Sequence, residues 1–392
     1  MKNRAVKNKI TKSLKSFPAV ALLGVRQVGK TTLVKRIAKE FKKRAIYLDL
    51  ENPSDFEKLS KDAKFFLQQY EKNLVIIDEV QRMPQLFPLL RHLIDENRKN
   101  SRFILLGSAS KEILQNASES LAGRINYLEM NPFFFDEVGA KKFYHHLLRG
   151  GFPRAFLAKN PSQFKEWFDG FTSSYIEKDL RDLGLSASPI LIRRLITMLA
   201  DVNSCVVNYS AIASSLGVSS VTIKSYIEFL EHAFVLRSLT PFFPNISKRF
   251  TKSNKIYFRD SGLLNYFLGI YDQTSLTHNI HLGAIFESYV VQQVVAKLNY
   301  RTTAHFYRTH KGAEIDLCLV QGNKVVVAIE VKFSSNPTLS FGNHTALQDL
   351  GNPDLLVVSP LSETYKKDKK ITVVNIKDLE NFLKKYRVME MV

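Results

Sequence analysis

The chain has 392 residues, enough for two to four domains, and its 45% hydrophobic content is that of a core-forming globular protein. No apolar run reaches membrane-spanning length, the basic residues from Lys2 to Lys15 have no apolar h-region behind them, and the two cysteines, Cys205 and Cys318, lie far apart. The expectation is a protein without membrane insertion, secretory signal or disulfide framework, working in a reducing cytoplasm. The formal net charge of +19 favours a polyanionic partner, most simply nucleic acid and DNA before RNA. Solubility or contact with a membrane surface is the rival reading.

Residues 1–16 read as an amphipathic helix with a basic face. Ala19–Leu23 is a short apolar run, a buried strand. The next eight residues, Gly24, Val25, Arg26, Gln27, Val28, Gly29, Lys30 and Thr31, complete the phosphate-loop pattern G-x-x-x-x-G-K-S/T. From Thr32 the apolar positions Leu33, Val34, Ile37 and Ala38 repeat at helical spacing. Strand, glycine loop and helix start are the context this motif requires. The glycines let backbone N–H groups turn toward phosphate oxygens, and the helix N-terminus favours an anion there. Lys30 can reach the β- and γ-phosphates, and the Thr31 hydroxyl can ligate Mg²⁺. The expected cofactors are ATP and Mg²⁺.

Residues 44–50 form a second strand and residues 55–70 a helix. In Leu74-Val75-Ile76-Ile77-Asp78-Glu79 a buried parallel strand ends in two acids. Asp78 can hold Mg²⁺ through water, and Glu79 is placed to polarise the attacking water. A helix follows to about Asn97, then a strand over residues 102–107. Ser108 or Ser110 can bond the γ-phosphate or the attacking water; a helix cap for residues 111–114 is the equal alternative. Arg124 precedes a further strand. It is the candidate cation for γ-phosphate charge, in its own subunit or a neighbour's, with a structural ion pair as the rival.

Gly24–Leu33, the run from Asp78 to Arg82, the Gly107-Ser108 strand end and Gly123-Arg124 together resemble a family of bacterial and archaeal AAA+-like ATPases with an uncharacterised C-terminal domain. The likeness covers nearly the whole chain. The family usually has proline where this chain has Val25, a change that leaves the loop N–H groups available. The resemblance implies an AAA+-like fold and a homo-oligomer.

Beyond residue 133 the chain reads as a helical connector. Gly150-Gly151-Phe152-Pro153 is a turn, and a long helix from Trp167 ends in the mixed charges of residues 177–184, read as a solvated face. Residues 189–240 read as a winged helix. Residues 209–216 form a short helix, Gly217-Val218 turns, and a second helix runs from Ser219 to Leu230. Val221, Ile223, Ile227 and Leu230 form its apolar set, leaving Ser220, Thr222, Lys224 and Ser225 toward DNA or toward solvent. A cationic stretch follows: Lys248, Arg249, Lys252, Lys255 and Arg259.

Residues 282–298 form a helix carrying Glu287, and two strands, 313–321 and 324–333, carry Asp316, Glu330 and Lys332. This E…D…E-x-K order resembles the PD-(D/E)XK nuclease superfamily. The resemblance implies a metal held by Asp316 and Glu330, with Lys332 and Glu287 supporting. Strand register sharpens the expectation. Only a register with Asp316 opposite Glu330 and Leu317 opposite Ile329 keeps the apolar residues on their own face. A three-residue loop, Gly322-Asn323-Lys324, supplies that register.

The expected architecture is α/β. An AAA+-like ATPase domain spans 1–140, a connector 141–186, a winged helix 187–245 and a nuclease-like domain 246–392. The leading function is ATP hydrolysis coupled to action on nucleic acid, with metal-dependent cleavage in the C-terminal domain. The alternative is an ATP-switched regulator that binds DNA or protein, with an inert nuclease-like domain. A phosphoryl-transfer kinase fits less well, because Asp78-Glu79 suits water activation better than transfer to an acceptor.

Overall fold

The computed structural model describes residues 4–41, 44–109, 121–243 and 253–390. The first unit opens with helix α1 (Val6–Ser16), which buries Ile10, Ser13 and Leu14 and leaves its lysines outward. Strands β1 (Ala19–Leu23), β2 (Ala45–Asp49), β3 (Leu74–Asp78), β4 (Phe103–Gly107) and β5 (Ile125–Glu129) alternate with helices α2 (Lys30–Glu40), α3 (Pro53–Gln69) and α4 (Leu86–Glu96). All strand pairs are parallel, in the order β2-β3-β4-β1-β5. The central strands β1, β3 and β4 are buried at every position, which is why they read as unbroken apolar runs rather than alternating ones. Proline at the first turn and the Asn52 carboxamide, accepting from the Ser54 N–H, start α3.

The second unit is helical: α5 (Phe143–Arg149), α6 (Pro161–Phe171), α7 (Pro189–Asp201), α8 (Tyr209–Leu216) and α9 (Ser220–His232). Between α6 and α7, Thr172–Asp179 continues as a π-helix. Gly217 ends α8 in the left-handed conformation, and Ser219 caps α9 through the Thr222 N–H. The apolar stripe of α9 is Ile223, Tyr226, Ile227 and Leu230. Val221 is exposed, which corrects its place in the expected set. Two residues before Ile223, it lies about 200° round the helix from that stripe.

The third unit is an eight-stranded mixed sheet. Its strands are β6 (Leu236–Pro241), β7 (Lys255–Phe258), β8 (Thr302–Arg308), β9 (Glu314–Gln321), β10 (Lys324–Val331), β11 (Asp354–Ser359), β12 (Tyr365–Lys366) and β13 (Ile371–Asn375), in the order β12-β13-β11-β10-β9-β8-β6-β7. Helices α10 (Ser261–Phe267) and α11 (Leu282–Val295) bridge this sheet to the second unit. The antiparallel pair β6–β7 straddles the expected boundary at residue 245, and β6 pairs with β8, so the sheet does not break there. One apolar core runs through all three units, from Ile10 to Met389.

The β9–β10 hairpin carries the expected facing by different means. Gln321 pairs with Lys324 across a two-residue turn, Gly322-Asn323, and Gly322 takes φ +60°. A bulge at Val326 then shifts the register by one, so that Ile329 meets Leu317. The three-residue loop is thereby corrected. The apolar faces still match, because the bulge supplies the extra residue.

Candidate active site

The phosphate loop joins β1 to α2. Gly24 holds φ +155°, and a Cβ there would stand 2.3 Å from the Met130 carbonyl oxygen. No side chain fits this approach of loop to strand end. Gln27 and Gly29 also take positive φ, +62° and +101°, and curl the loop into the first turn of α2. Val25 and Val28 are buried beneath it, and Thr32 is exposed on α2. Lys30 Nζ donates to the Gly24 carbonyl at 2.6 Å and to the Val25 carbonyl at 3.2 Å. The ammonium is thus folded over the loop, where phosphate oxygens can take the place of those carbonyls. Burial pulls its pKa down, against the pull of Glu79 and Asp78.

Because β4 lies between β1 and β3, three strand ends converge beside the loop. Thr31 Oγ1 donates to Asp78 Oδ2 at 2.6 Å, and the Tyr47 hydroxyl donates to the same oxygen at 2.6 Å. Thr31 and Asp78 are hard oxygen donors already in contact, a pair that fits Mg²⁺. Glu79 sits at φ +54°, a left-handed position that a non-glycine residue keeps only when its surroundings fix it. Its Oε2 accepts from Gln81 Nε2 and, at 3.2 Å, from Ser108 Oγ, while Gln81 also donates to Ser108 Oγ at 3.0 Å. Ser108 therefore belongs to the Glu79 network. Ser110 and residues 111–114 lie outside the described residues.

Arg124 is elsewhere. It precedes β5, whose parallel register sets Ile125 beside Ala19. It therefore stands at the opposite end of the sheet from the loop, about 16 Å away by strand rise. Its Nε and Nη2 donate to Asp95 Oδ1 at 2.6 Å and Oδ2 at 2.9 Å. Within one chain Arg124 makes the structural ion pair with Asp95, so the expected phosphate contact in its own subunit is corrected.

Tyr47, Gln81 and the π-helix add contacts that the sequence does not announce. Arg26 of the loop donates through Nη1 to Asp179 and through Nη2 to Glu51 Oε1 at 2.8 Å. The buried Tyr175 hydroxyl lies 3.2 Å from the Ser108 carbonyl and 2.7 Å from that of Ala233 at the end of α9. The charges of residues 177–184 are thus not only a solvated face.

In the C-terminal sheet, the β9–β10 pairing runs to Ile329 opposite Leu317, and just beyond it Asp316 lies close enough for its charge to act on Glu330. Asp316 Oδ2 accepts from the Val331 N–H at 2.9 Å, and Lys332 Nζ pairs with Glu330 Oε1 at 2.7 Å. The cation among the other acids is Lys255 on β7. Its Nζ lies 2.7 Å from Glu314, 3.2 Å from Glu287 and 3.6 Å from Asp316, and its side chain is 2% exposed. The Tyr257 hydroxyl also donates to Glu287, at 2.8 Å. Burial works against the Lys255 charge, but Glu287 and its neighbours outweigh it and hold the ammonium's pKa well above the ordinary value. Burial, and then the charge of Asp316, push the Glu287 and Glu330 carboxyls upward. Among the described residues no three His, Cys, Asp or Glu side chains converge on one metal position. One feature does fit a divalent ion: Glu330 Oε2 is buried and has no hydrogen-bond partner.

The expected cationic stretch changes accordingly. Lys255 is enclosed by acids. Arg259 is buried, donates to Glu129 and, at 2.8 Å, to Asn131 Oδ1, and covers the Phe234 ring. Neither is a surface cation: Lys255 neutralises carboxylates inside the fold, and the buried Arg259 reaches out to the exposed Glu129. Lys248, Arg249 and Lys252 lie outside the described residues. The signal for Lys255 was the apolar run Ile256-Tyr257-Phe258 beside it, which marks a buried strand.

Comparison with known proteins places this geometry in a family. Residues 16–139 match an AAA domain, residues 140–274 a domain of unknown function (DUF8612), and residues 282–379 another (DUF4143). Uncharacterised proteins of Mycobacterium tuberculosis (Rv2008c) and Mycobacterium bovis (Mb2031c) are each 38% identical over 352 residues, covering 90% of this chain and 78% of theirs. Among solved structures, a Walker-type ATPase of Pyrococcus abyssi is 16% identical, with a TM-score of 0.45 over 68% of this chain and 96% of its own. The chain belongs to the family of AAA-domain proteins that includes these two mycobacterial relatives.

Proposed function

We propose that the protein binds ATP with Mg²⁺ at the phosphate loop, hydrolyses it, and acts on nucleic acid. The observation that carries hydrolysis is the arrangement of Glu79: beyond the Thr31–Asp78 pair, its carboxylate is held by Gln81 and Ser108. Gly24–Thr32 cradle the phosphates, Lys30 neutralises them, and Thr31 and Asp78 hold the ion. Mg²⁺ bound there supplies charge neutralisation of the transferring phosphoryl group. Glu79 orients the attacking water and accepts its proton. Arg124 serves another copy's site if the protein works as a homo-oligomer.

The net charge supports a nucleic-acid partner, with α8 and α9 read as the helix pair of a winged helix. In the C-terminal domain, Asp316 and Glu330 are the residues that would hold a divalent ion, with Lys332 and Glu287 beside them. Such an ion would activate water for phosphodiester cleavage. Lys255 favours the second reading, an ATP-switched binder with an inert nuclease-like domain, because its ammonium already satisfies Glu287, Glu314 and Asp316.

ATP turnover by the full chain, with and without single-stranded and duplex DNA, tests the first reading. Lys30→Ala should abolish nucleotide binding. Glu79→Gln should keep binding and lower turnover by about 10²-fold or more; wild-type turnover in that variant would remove Glu79 from catalysis. Cleavage with Mn²⁺ that is lost in Asp316→Ala, with ATP turnover intact, would decide for an active C-terminal site.

A further inference from the structure

The phosphate loop has a second set of partners, outside its own domain. Arg26, its third residue, is bound at both guanidinium ends: Nη1 to Asp179 and Nη2 to Glu51. Asp179 is the last residue of the π-helix, 153 positions along the chain. Four residues earlier Tyr175 reaches the carbonyl of Ser108, whose hydroxyl holds Glu79. One short helix therefore touches both the phosphate loop and the strand end beside the water-orienting carboxylate. That helix is also wound wide, with the Leu180 N–H bonded to the Tyr175 carbonyl five residues back. Such turns gather at functional positions. Through Ala233, Tyr175 further ties the segment to the end of α9.

We infer that Asp179 is a positioning residue for the nucleotide site, and that bound polyphosphate and Asp179 compete for Arg26. The inference rests on the phosphate loop binding nucleotide. Arg26 faces the carboxylates of Glu51, Asp179 and Glu79, with Lys30 as the neighbouring cation. A polyphosphate on the loop adds several negative charges beside Asp179, which is half-buried and already close to Asp182 and Glu79. Arg26 turns to the phosphate, its bond to Asp179 weakens, and the π-helix loses its ion pair to the phosphate loop. Nucleotide occupancy is thereby transmitted toward α9, and the position of α9 in turn sets nucleotide affinity, as linkage requires.

The test is nucleotide affinity of the full chain, measured by calorimetric titration with ADP. Asp179→Asn should bind ADP roughly two- to tenfold more tightly than wild type, because it frees Arg26 and removes a negative charge. Asp179→Glu should return affinity toward wild type. Arg26→Ala should bind more weakly, and in that background Asp179→Asn should gain little. Unchanged or weaker binding by Asp179→Asn would overturn the inference. So would equal tightening in the Arg26→Ala background, which would be a general charge effect. A second measurement needs no variant: saturating ADP should speed tryptic cleavage after Lys178 and Arg181, and unchanged cleavage would count against the coupling. A wild type that binds no ADP would sink the nucleotide reading as well, whereas binding without these responses would sink only the coupling.

Discussion

An ammonium enclosed by three carboxylates is held by charge rather than by packing. Lys255 occupies that place beside Glu287, Glu314 and Asp316. Removing one partner of a buried ionic cluster leaves uncompensated charge and costs about 3–5 kcal/mol. Lys255→Met, which keeps the volume and loses the charge, should lower the thermal midpoint at neutral pH by that measure. Millimolar Mn²⁺ should then raise the midpoint of the variant more than that of the wild type, since the freed oxygens are hard ligands. A variant as stable as wild type would show that the acids need no cation.

The same logic governs how elements join. Asp260 caps α10 through the Leu263 N–H at 2.9 Å, and its other oxygen accepts the Gly151 N–H at 2.7 Å. A Cβ on Gly151 would stand 2.4 Å from the Phe133 carbonyl oxygen, so the Gly150-Gly151 turn is packed between two backbones. Asp260→Asn replaces one accepting oxygen with a donor facing an N–H, and should cost about 1–3 kcal/mol in unfolding experiments. Burial raises the Asp260 carboxyl to about 6, against four backbone N–H groups that lower it. The folded pKa is thus above the unfolded one. The stability this group contributes is full below about pH 4 and is lost as pH rises through about 6. The gap in melting temperature between wild type and Asp260→Asn should therefore narrow as pH is raised across that window. At the same scale, the alternation in β9 and β10 fixed which faces meet. Whether a loop or a bulge supplied the extra residue was left to the packing around Val326, since either gives the same facing.

Across the whole molecule, the net charge of +19 carries the expectation of nucleic-acid binding. Affinity for duplex DNA should fall steeply with salt, with a log–log slope near −0.9 per phosphate neutralised. Lys255 and Arg259 are inside the fold, so the informative variant replaces Lys248, Arg249 and Lys252 with alanine. It should reduce the slope by up to about 3, roughly one for each phosphate that is no longer neutralised. An unchanged affinity and slope would place the binding surface elsewhere on the chain.

Local order determined what local order can: the β1–loop–α2 unit, the acids at the end of β3, the Gly217 and Ser219 punctuation of α8 and α9, and the shared face of Asp316 and Glu330. Each follows from residues within about fifteen positions, where backbone geometry and apolar period leave one arrangement. Charges over longer separations did not reveal their partners. Arg124 found Asp95, Arg26 found Asp179, and Lys255 found Glu287 and its neighbours, across 29, 153 and 32 positions. A long charged side chain makes no periodic pattern that names its partner. Only the tertiary fold, within one unit for Arg124 and across units for Arg26, brings such pairs together and decides which charges meet solvent and which meet each other.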